Sequence, residues 1–331
     1  MQRTLILGGG IGGIVAATVL KRAMGKDMDV TVVDKCPYHF YTSSFPLLMI
    51  GQRKPEQITR RLDGLERKGI NFVQAKVTGL HLSENSVSTT KGQHAYNYLI
   101  IALGVEYHPE TVPGFAEYAY DAYDFHDLLK IRKALSQMKK GRIALFISSL
   151  PYKCPPAPYE MMFLLDQYFR QKGLRNSIQL ALITPDFSPE PLAGPLVGES
   201  VRKMLSEKGI ELRTEAKVLA VEESAVVLDH GGKVPADLLL GIAPHWTHNV
   251  LRNIGLTDGD GWVTADQHTL QTGYPGVYAI GDVTGIRLPV IGVLAPKAGI
   301  FAHYQAEVVA RNIALLATGQ NPTFRYTGKG A

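Results

Sequence analysis

The feature of this sequence that most constrains its fold is a glycine-rich loop close to the N-terminus. The surrounding pattern predicts a strand, a helix and a second strand at residues 3–8, 12–24 and 29–34. The loop after the first strand has the form G-x-G-x-x-G, with its glycines at Gly8, Gly10 and Gly13. The second strand ends at Asp34, 21 residues after the last of these glycines. This order and spacing indicate a Rossmann-like dinucleotide-binding unit.

Each of these residues has a physical task in such a unit. Gly8 permits a tight turn, Gly10 lets the backbone approach a pyrophosphate, and Gly13 allows the helix to pack closely on the strand. The helix N-terminus presents N–H groups and the positive end of its dipole to the phosphates. Asp34 accepts hydrogen bonds from a ribose diol, and we include its neighbour Lys35 among the cofactor-binding residues.

The rest of the chain predicts a second α/β unit inserted into the first. Further strands are expected at residues 142–148 and 178–184 and within 210–240, and further helices at about 158–173, 195–208 and 296–316. Shorter predicted elements are an amphipathic surface helix over 55–68 and β-like pieces at 70–81, 86–90 and 95–101. The predicted fold class is therefore α/β, with two Rossmann-like domains.

Composition narrows the function classes. The 331 residues are 45% hydrophobic and 20% charged, which is too apolar for a disordered chain. The net charge of +5 includes no run of five like charges and gives no nucleic-acid footprint, although a basic face would favour anionic lipid headgroups. Two cysteines cannot make a disulfide framework, so we expect a reducing compartment. No stretch approaches the ~20 apolar residues of a membrane-spanning helix.

Two further segments indicate which dinucleotide the first unit takes. Residues 272–282, which end in Gly-Val-Tyr-Ala-Ile-Gly-Asp, resemble the second FAD motif of flavoproteins that have two dinucleotide domains. The resemblance implies that Asp282, preceded by Gly281, binds the ribityl chain. Ala102-Leu103-Gly104 resembles the Ala-Thr-Gly turn of the same superfamily, so Ala102 and Gly104 join the cofactor-binding set.

The resemblance also implies how the domains are arranged along the chain. An FAD domain is interrupted by a second, NAD-like domain that lacks a glycine loop, and then resumes and ends in the final helix. We expect these three segments to cover residues 1–108, 109–244 and 245–331.

The second unit lacks the glycine loop that would bind the pyrophosphate of a nicotinamide coenzyme. Its first strand is followed at residues 148–160 by Ser-Ser-Leu-Pro-Tyr-Lys-Cys-Pro-Pro-Ala-Pro-Tyr-Glu. The prolines fix φ and remove N–H donors that a pyrophosphate would need. Cys154 lies beside Lys153 and before a predicted helix start, and both favour a thiolate. Glu160 is placed to exchange protons with a sulfur group. The alternative to this reactive pair is that Cys154 is a small buried packing residue and Glu160 is a solvated side chain.

Residues 154–160, Cys-Pro-Pro-Ala-Pro-Tyr-Glu, resemble the sulfide-oxidising branch of the FAD-dependent pyridine nucleotide-disulfide oxidoreductases. That branch contains the sulfide:quinone oxidoreductases and the flavoprotein subunit of flavocytochrome c sulfide dehydrogenase. The resemblance implies a redox-active cysteine beside the flavin at Cys154 and an acidic partner at Glu160. Residues 294–299 resemble the start of the last helix in this branch, which implies that Lys297 faces the pyrimidine end of the flavin.

Two segments depart from the branch. Its cytochrome-linked members attach FAD through a cysteine in a Tyr-Thr-Cys stretch, whereas residues 41–43 are Tyr-Thr-Ser, so we expect no covalent link at Ser43. The branch also has a second redox cysteine soon after a C-terminal Lys-Gly pair, and this sequence stops at Lys329-Gly330-Ala331. We therefore expect a truncated chain in which Cys154 is one cysteine of a pair. Cys36 is expected near the adenine end of FAD, so it does not replace the second cysteine.

The resemblance implies an enzyme that oxidises sulfide at Cys154 and passes two electrons through FAD to a quinone. In the implied mechanism, hydrosulfide attacks a disulfide or polysulfide bridge between the two cysteines. A cytochrome-linked sulfide dehydrogenase subunit is an alternative, but it would need export and a haem partner. A type II NADH dehydrogenase would need the second glycine loop. A redox-responsive flavoprotein without turnover is a further alternative.

The implied sulfide-oxidising activity determines which partners we expect. They are sulfide, a quinone or cytochrome c as electron acceptor, and a membrane surface reached through a C-terminal region beyond residue 331. No nucleic acid is expected, and a homo-oligomer is compatible with the sequence. We expect a cytoplasmic protein that is peripheral to the membrane in its full-length form. His245 and His248 are three residues apart, but no cysteine or second histidine pair accompanies them, so no metal site is expected.

Overall fold

The structure, a computed structural model, describes residues 1–289 and 291–329. The helices in this part of the chain are α1 (Ile11–Met24), α2 (Phe45–Met49), α3 (Pro55–Ile58), α4 (Phe115–Tyr118), α5 (Phe125–Gln137), α6 (Ala157–Gln171), α7 (Pro195–Glu207) and α8 (Gly299–Ala317). The strands in the first half are β1 (Gln2–Leu7), β2 (Met28–Asp34), β3 (Tyr38–Phe40), β4 (Thr59–Arg61), β5 (Asn71–Gln74), β6 (Val77–His81), β7 (Ser86–Thr89), β8 (Gly92–Ala95), β9 (Tyr98–Ile101), β10 (Glu106–Tyr107), β11 (Tyr120–Asp121) and β12 (Gly141–Ile147). The later strands are β13 (Ile178–Ile183), β14 (Ile210–Arg213), β15 (Val218–Glu222), β16 (Ala225–Leu228), β17 (Lys233–Pro235), β18 (Leu238–Ile242), β19 (His245–Trp246) and β20 (Val277–Ala279).

The chain forms two compact units. Unit 1 contains Met1–Phe40, Thr59–Glu106 and the chain from Trp246 onward, and unit 2 contains Tyr41–Ile58 and Tyr107–His245. Residues 41–58, which the sequence analysis includes in its first segment, belong to unit 2 because α2 packs against α5 and α6.

Unit 1 is built on a parallel five-stranded sheet in the order β20–β9–β1–β2–β5. The chain passes from β1 to β2 on one side, and β9 lies on the other side of β1. The strand order therefore reverses between β1 and β9, and ligands of open α/β sheets bind at the carboxyl ends of strands at such a point. A small antiparallel sheet, β6–β7–β8, belongs to the same unit.

Both faces of the unit 1 sheet are buried at its centre, which explains why β9 and β20 are apolar throughout and β1 ends in Leu-Ile-Leu. Helices α1 and α8 pack against one face, where Leu20 and Ile313 are fully buried. Leu7 and Ile101 belong to the core of the other face. Burial of these side chains contributes about 1.5–3 kcal/mol each to folding.

Unit 2 has its own parallel sheet, in the order β11–β18–β12–β13–β14. An antiparallel sheet, β15–β16–β17, adjoins it in sequence. Phe115 and Phe146 meet edge to face, with ring centroids 5.3 Å apart. A side chain at Gly241 in β18 would collide with both rings. The cysteine-containing segment follows β12, the central strand of this sheet.

The predicted α/β class with two parallel-sheet units is confirmed. The predicted helix over 55–68 is wrong, because only α3 is α-helical there and β4 then forms an antiparallel pair with β3. The Leu62 N–H donates to the Pro37 carbonyl, so it cannot bond to Ile58 and continue α3, and Leu62–Lys68 is a separate 3₁₀ helix. The last helix begins at Gly299, since Ala298 is extended. Within the described residues no helix is both long and apolar enough to cross a bilayer.

Gly13→Ala tests the packing of α1 on the loop after β1. An added Cβ would collide with the Gly8 carbonyl oxygen. We therefore expect a loss of about 2 kcal/mol in the free energy of unfolding, although alanine is the better helix former. Gly10→Ala is the matched control because its added Cβ meets nothing within 4 Å. Urea denaturation of protein stripped of any flavin measures both variants, and equal losses for the two would contradict the packing role of Gly13.

Candidate functional sites

The glycine loop of unit 1 brings two backbone segments into direct contact. Gly8 has φ +108°, and its N–H donates to the Val33 carbonyl at 2.8 Å. A Cβ at Gly8 would collide with the carbonyl group of Ala102, and a Cβ at Gly13 with the carbonyl oxygen of Gly8. Only the side of the loop at Gly10 faces open space. The structure thus leaves room for a ligand at the one glycine whose predicted role is to admit a pyrophosphate.

Asp34 lies at the carboxyl end of β2 beside this loop. Its carboxylate accepts N–H groups from Gly9 at 2.6 Å and from Cys36 at 2.8 Å, which fixes its orientation. An adjoining cavity of about 230 Å³ is lined by residues that include Asp34, Lys35, Lys76, Leu103, Glu106 and His248. An oriented carboxylate and an open loop fit the adenosine diphosphate half of FAD.

His248 is a residue of this cavity that the sequence analysis considered only as a metal ligand. Its Nε2 lies 2.9 Å from the Leu103 carbonyl oxygen and its Nδ1 lies 3.1 Å from Glu106. Burial lowers the pKa of His248, and the negative charge of Glu106 opposes that effect. His248 therefore fixes the turn at residues 102–104. The contact spans 145 residues, so no local spacing in the sequence indicates it.

The loop after β20 carries the second group of predicted cofactor residues. Gly281 has φ +75°, and its N–H donates to Oε1 of the buried Gln305 at 2.6 Å. A cavity of about 280 Å³ adjoins this loop in unit 1, with a lining that includes Gly281, Asp282, His268, Lys297, Ala298 and Tyr326. Gln305 on α8 is a second residue that the sequence analysis missed, because amide side chains on an amphipathic helix are usually solvated.

Lys297 is buried in the wall of this second cavity, with 4% of its surface exposed. Its ammonium donates to the carbonyl oxygens of Asp282 at 2.7 Å and Thr284 at 3.2 Å. The same nitrogen lies 3.4 Å from the ring centroid of Trp262, a cation–π contact. Burial lowers the pKa of Lys297 to about 8, although the charges of Asp282 and Asp258 favour the ammonium. Lys297 thus presents a mostly protonated amine to the cavity at neutral pH.

Cys154 lies in unit 2, in the loop between β12 and α6. It has φ +53°, a conformation that is costly for a residue with a Cβ. Its carbonyl oxygen accepts the N–H of Ala157, the first residue of α6, at 3.0 Å. Glu160 lies in the first turn of α6 and is exposed, and partial desolvation raises the pKa of its carboxyl group. The loop places the cysteine before a helix N-terminus, as predicted.

The predicted site residues therefore fall into three places. The carboxyl ends of β1, β2 and β9 in unit 1, together with the first turn of α1, hold Gly8, Gly10, Gly13, Asp34, Lys35, Ala102 and Gly104. The cavity after β20 in the same unit holds Gly281, Asp282 and Lys297. Cys154 and Glu160 are in unit 2. Within residues 1–289 and 291–329, no group of three or more His, Cys, Asp and Glu side chains is arranged for a metal ion.

The burial of Lys297 predicts a pH-dependent stability. Its pKa in the folded protein, about 8, lies below the ordinary value of 10.5, so the unfolded chain binds the proton more tightly. Stability should therefore rise as the pH increases from 8 towards 10.5. We expect the free energy of unfolding of the wild type to gain about 2 kcal/mol relative to Lys297→Met between pH 7 and 9.5. The control is Lys203→Met, which replaces an exposed lysine. The difference in free energy of unfolding between this variant and the wild type should not change with pH. Parallel curves for K297M and the wild type would contradict the buried, shifted amine.

Comparisons with known proteins agree with this architecture. The family model described as pyridine nucleotide-disulphide oxidoreductase matches residues 2–145 and 181–308. The match is interrupted between these ranges, where the cysteine-containing loop lies. The mitochondrial sulfide:quinone oxidoreductase of Mus musculus is 30% identical, over 98% of this chain and 73% of the relative.

Two further comparisons show how far the similarity extends. The crystal structure of the sulfide:quinone oxidoreductase of Aquifex aeolicus superposes with a TM-score of 0.87 at 23% identity, covering 96% of this chain and 78% of that one. A type II NADH:quinone oxidoreductase of Staphylococcus haemolyticus is 21% identical over 99% of this chain and 86% of the relative. The chain is therefore an oxidoreductase of the pyridine nucleotide-disulphide oxidoreductase family and resembles the sulfide:quinone oxidoreductases within it.

Proposed function

We propose that this protein oxidises sulfide, with FAD as the electron carrier, Cys154 as the sulfur-binding nucleophile and a quinone as the electron acceptor. Each hydrosulfide ion then gives up two electrons and one proton and becomes sulfane sulfur. The quinone takes up two electrons and two protons and becomes a quinol. The names of the relatives support sulfide and a quinone as the two substrates.

One observation carries the proposal: the loop where a nicotinamide-binding unit has its phosphate-binding glycines is a proline-rich loop with a cysteine. It runs from Ser148 to Pro156, between β12 and α6. Four prolines in and just after it fix φ and lack N–H donors, whereas Cys154 supplies a nucleophile. A pyrophosphate has no N–H cradle there, so the second unit is suited to sulfur chemistry rather than to nicotinamide binding.

Unit 1 supplies the residues that would hold FAD. The open side of the loop at Gly10 and the N-terminus of α1 would take the pyrophosphate, and Asp34 with Lys35 would take the adenosine ribose. Asp282 and Lys297 would line the flavin end. Bound FAD supplies two-electron chemistry that no amino-acid side chain provides.

The residues around Cys154 favour a reactive thiolate. Lys153 is its neighbour in sequence, and α6 begins three residues later. A nearby cation and the positive end of a helix dipole both stabilise the negative charge on sulfur. Glu160 has a raised pKa, so its carboxyl group holds a proton closer to neutral pH than an ordinary glutamate does. It can therefore accept the proton that hydrosulfide releases when its sulfur bonds to Cys154, a two-electron oxidation whose electrons bound FAD would take up.

Type II NADH oxidation is the second candidate function, because relatives with that name align over almost the whole chain. It requires a pyrophosphate site in unit 2. The proline-rich loop weighs against that site, and the relatives with this function are only 21% identical. We therefore place sulfide oxidation first.

Anaerobic reduction of the flavin tests both candidates. We expect sulfide to bleach the flavin absorbance near 450 nm ~10²-fold faster in the wild type than in Cys154→Ser, because serine is a far weaker nucleophile. Cys36→Ser is the matched control and should behave as the wild type does. Adding a quinone analogue should restore the absorbance, and cytochrome c should not. Bleaching by NADH and not by sulfide would overturn the proposal in favour of the second candidate.

Glu160→Gln tests the proton-accepting role. Glutamine keeps the size of the side chain and cannot take up a proton, so we expect the rate of bleaching by sulfide to fall about 100-fold. The control is Glu199→Gln, which removes an exposed carboxylate from α7 of the same unit. Stopped-flow absorbance measures both variants. A wild-type rate in E160Q would remove Glu160 from the mechanism without affecting the role of Cys154.

A further inference from the structure

A cluster of aromatic side chains surrounds the residue that precedes Cys154. The Lys153 ammonium donates a hydrogen bond to the hydroxyl oxygen of Tyr107. The same nitrogen lies 4.8 Å from the ring centroid of Tyr107 and 5.6 Å from that of Tyr123. All of these residues belong to unit 2. The lysine is thus seated between two electron-rich rings, which attract a cation.

The cluster also holds the peptide group that follows Cys154. The Tyr123 hydroxyl donates to the Cys154 carbonyl oxygen at 3.2 Å, and the N–H of Ala157 donates to the same oxygen at 3.0 Å. A cysteine at φ +53° keeps this conformation only where the surroundings fix it. One donor precedes Cys154 in the chain, in the segment after β11, and the other follows it, at the start of α6. Together they fix the plane of this peptide group.

The two tyrosines are themselves rigidly placed. Both rings pack against His245, with centroids 4.9 Å away for Tyr107 and 5.8 Å away for Tyr123. His245 is 2% exposed, and its Nδ1 lies 2.7 Å from the Ala243 carbonyl oxygen. The Tyr123 N–H donates to the carboxylate of the buried Asp121 at 2.8 Å. Because this packing already fixes the two tyrosines, they lose little conformational entropy when they hold the lysine and the loop in place.

Burial and neighbouring charges shift the pKa values of two groups in the cluster. Burial, and next the negative charge of a Cys154 thiolate, raises the pKa of Tyr123 well above its ordinary value. Burial raises the pKa of Asp121 to about 7, while the positive charge of Lys153 opposes the rise. The titratable groups around the lysine and the cysteine in unit 2 include Asp121, Tyr107, Tyr123, Tyr152, His245 and the Glu160 carboxyl group in the first turn of α6.

We propose that Tyr107 and Tyr123 are positioning residues for Cys154: they hold the Lys153 ammonium and the Cys154 carbonyl so that a fixed cation stays beside the sulfur. This inference rests on the proposed function for the use of the thiol, and it goes beyond that function by naming what keeps the thiolate stabilised. Without these contacts to the two tyrosines, the lysine side chain would extend into water, where its charge is screened. Neither tyrosine transfers a proton or touches the substrate in this role.

The test is the pH dependence of alkylation of Cys154 by iodoacetamide in the flavin-loaded protein. It is carried out in a Cys36→Ser background, so that only one thiol reacts. We expect Tyr107→Phe to raise the midpoint of the alkylation profile by about 0.5–1 pH unit, and thus to slow the reaction at pH 7 by about three- to tenfold. Tyr123→Phe should raise the midpoint in the same direction. Asp121 is retained in all variants, so its own titration contributes equally to each profile.

The chain offers a matched control for the hydroxyl. Lys172 donates to the Tyr168 hydroxyl at 2.6 Å and lies 4.3 Å from that ring centroid, on the exposed C-terminal part of α6. Tyr168→Phe therefore removes the same kind of contact away from the cysteine, and its midpoint should equal that of the wild type. A shift in Y168F as large as that in Y107F would overturn the proposal.

A double-mutant cycle distinguishes positioning from a merely structural effect. If Tyr107 acts through Lys153, then Tyr107→Phe should have no further effect on the midpoint in a Lys153→Met background. Lys153→Arg should restore most of the wild-type midpoint. An equal shift by Y107F with and without Lys153, or wild-type midpoints in both Y107F and Y123F, would overturn the proposal.

The readout is separate from turnover. If Y107F shifts the midpoint but sulfide does not bleach the flavin of the wild type, the positioning role stands and the proposed function fails. If sulfide bleaches the flavin and the midpoints do not move, the proposed function stands and the positioning role fails. If Tyr123→Phe does not yield folded, flavin-containing protein, the cycle with Tyr107 and Lys153 decides the outcome alone.

Discussion

Unit 1 depends on a close approach of backbone to backbone at the loop after β1. At Gly8 and Gly13 the adjoining main chain leaves no room for a Cβ, and the carbonyl of Ala102 lies against the first of them. This contact joins the turn after β1 to the first turn of α1 and to the end of β9. In the same loop, the N–H of Gly9, two residues before α1, donates to the carboxylate of Asp34. Removing side chains from the loop is what allows both packing of the sheet and access for a phosphate.

Much of this arrangement could be predicted from the sequence, and the limits have physical causes. Elements with a clear apolar pattern, such as α1 and β12, can be predicted from the sequence because their burial requires apolar residues at successive or regularly spaced positions. The segment over 55–68 has a helical charge pattern, but β4, which lies within it, forms an antiparallel pair with β3. Pairing between strands apart in sequence overrides local preference, and no local pattern reports it.

The candidate sites show the same division. Glycines, Asp34 and Cys154 are recognisable because their chemistry depends on neighbours in the chain. His248, Gln305 and Trp262 are not, because each acts on a residue that folding brings to it from elsewhere. The role proposed for Lys297 at the flavin rests on the resemblance alone, whereas its lowered pKa follows from burial that only the structure reveals.

The division of unit 1 into separate stretches of chain has a consequence for biosynthesis. Its sheet includes β20, and its α1 packs against α8, both of which lie after the whole of unit 2. A ribosome adding about 5–20 residues per second needs on the order of ten seconds to pass through unit 2. During that time β9 has an unpaired edge and α1 an uncovered apolar face. Unit 2, whose early stretch has already been translated, can fold first. The sheet of unit 1 and the packing of α1 therefore stay incomplete until the last helix has been translated.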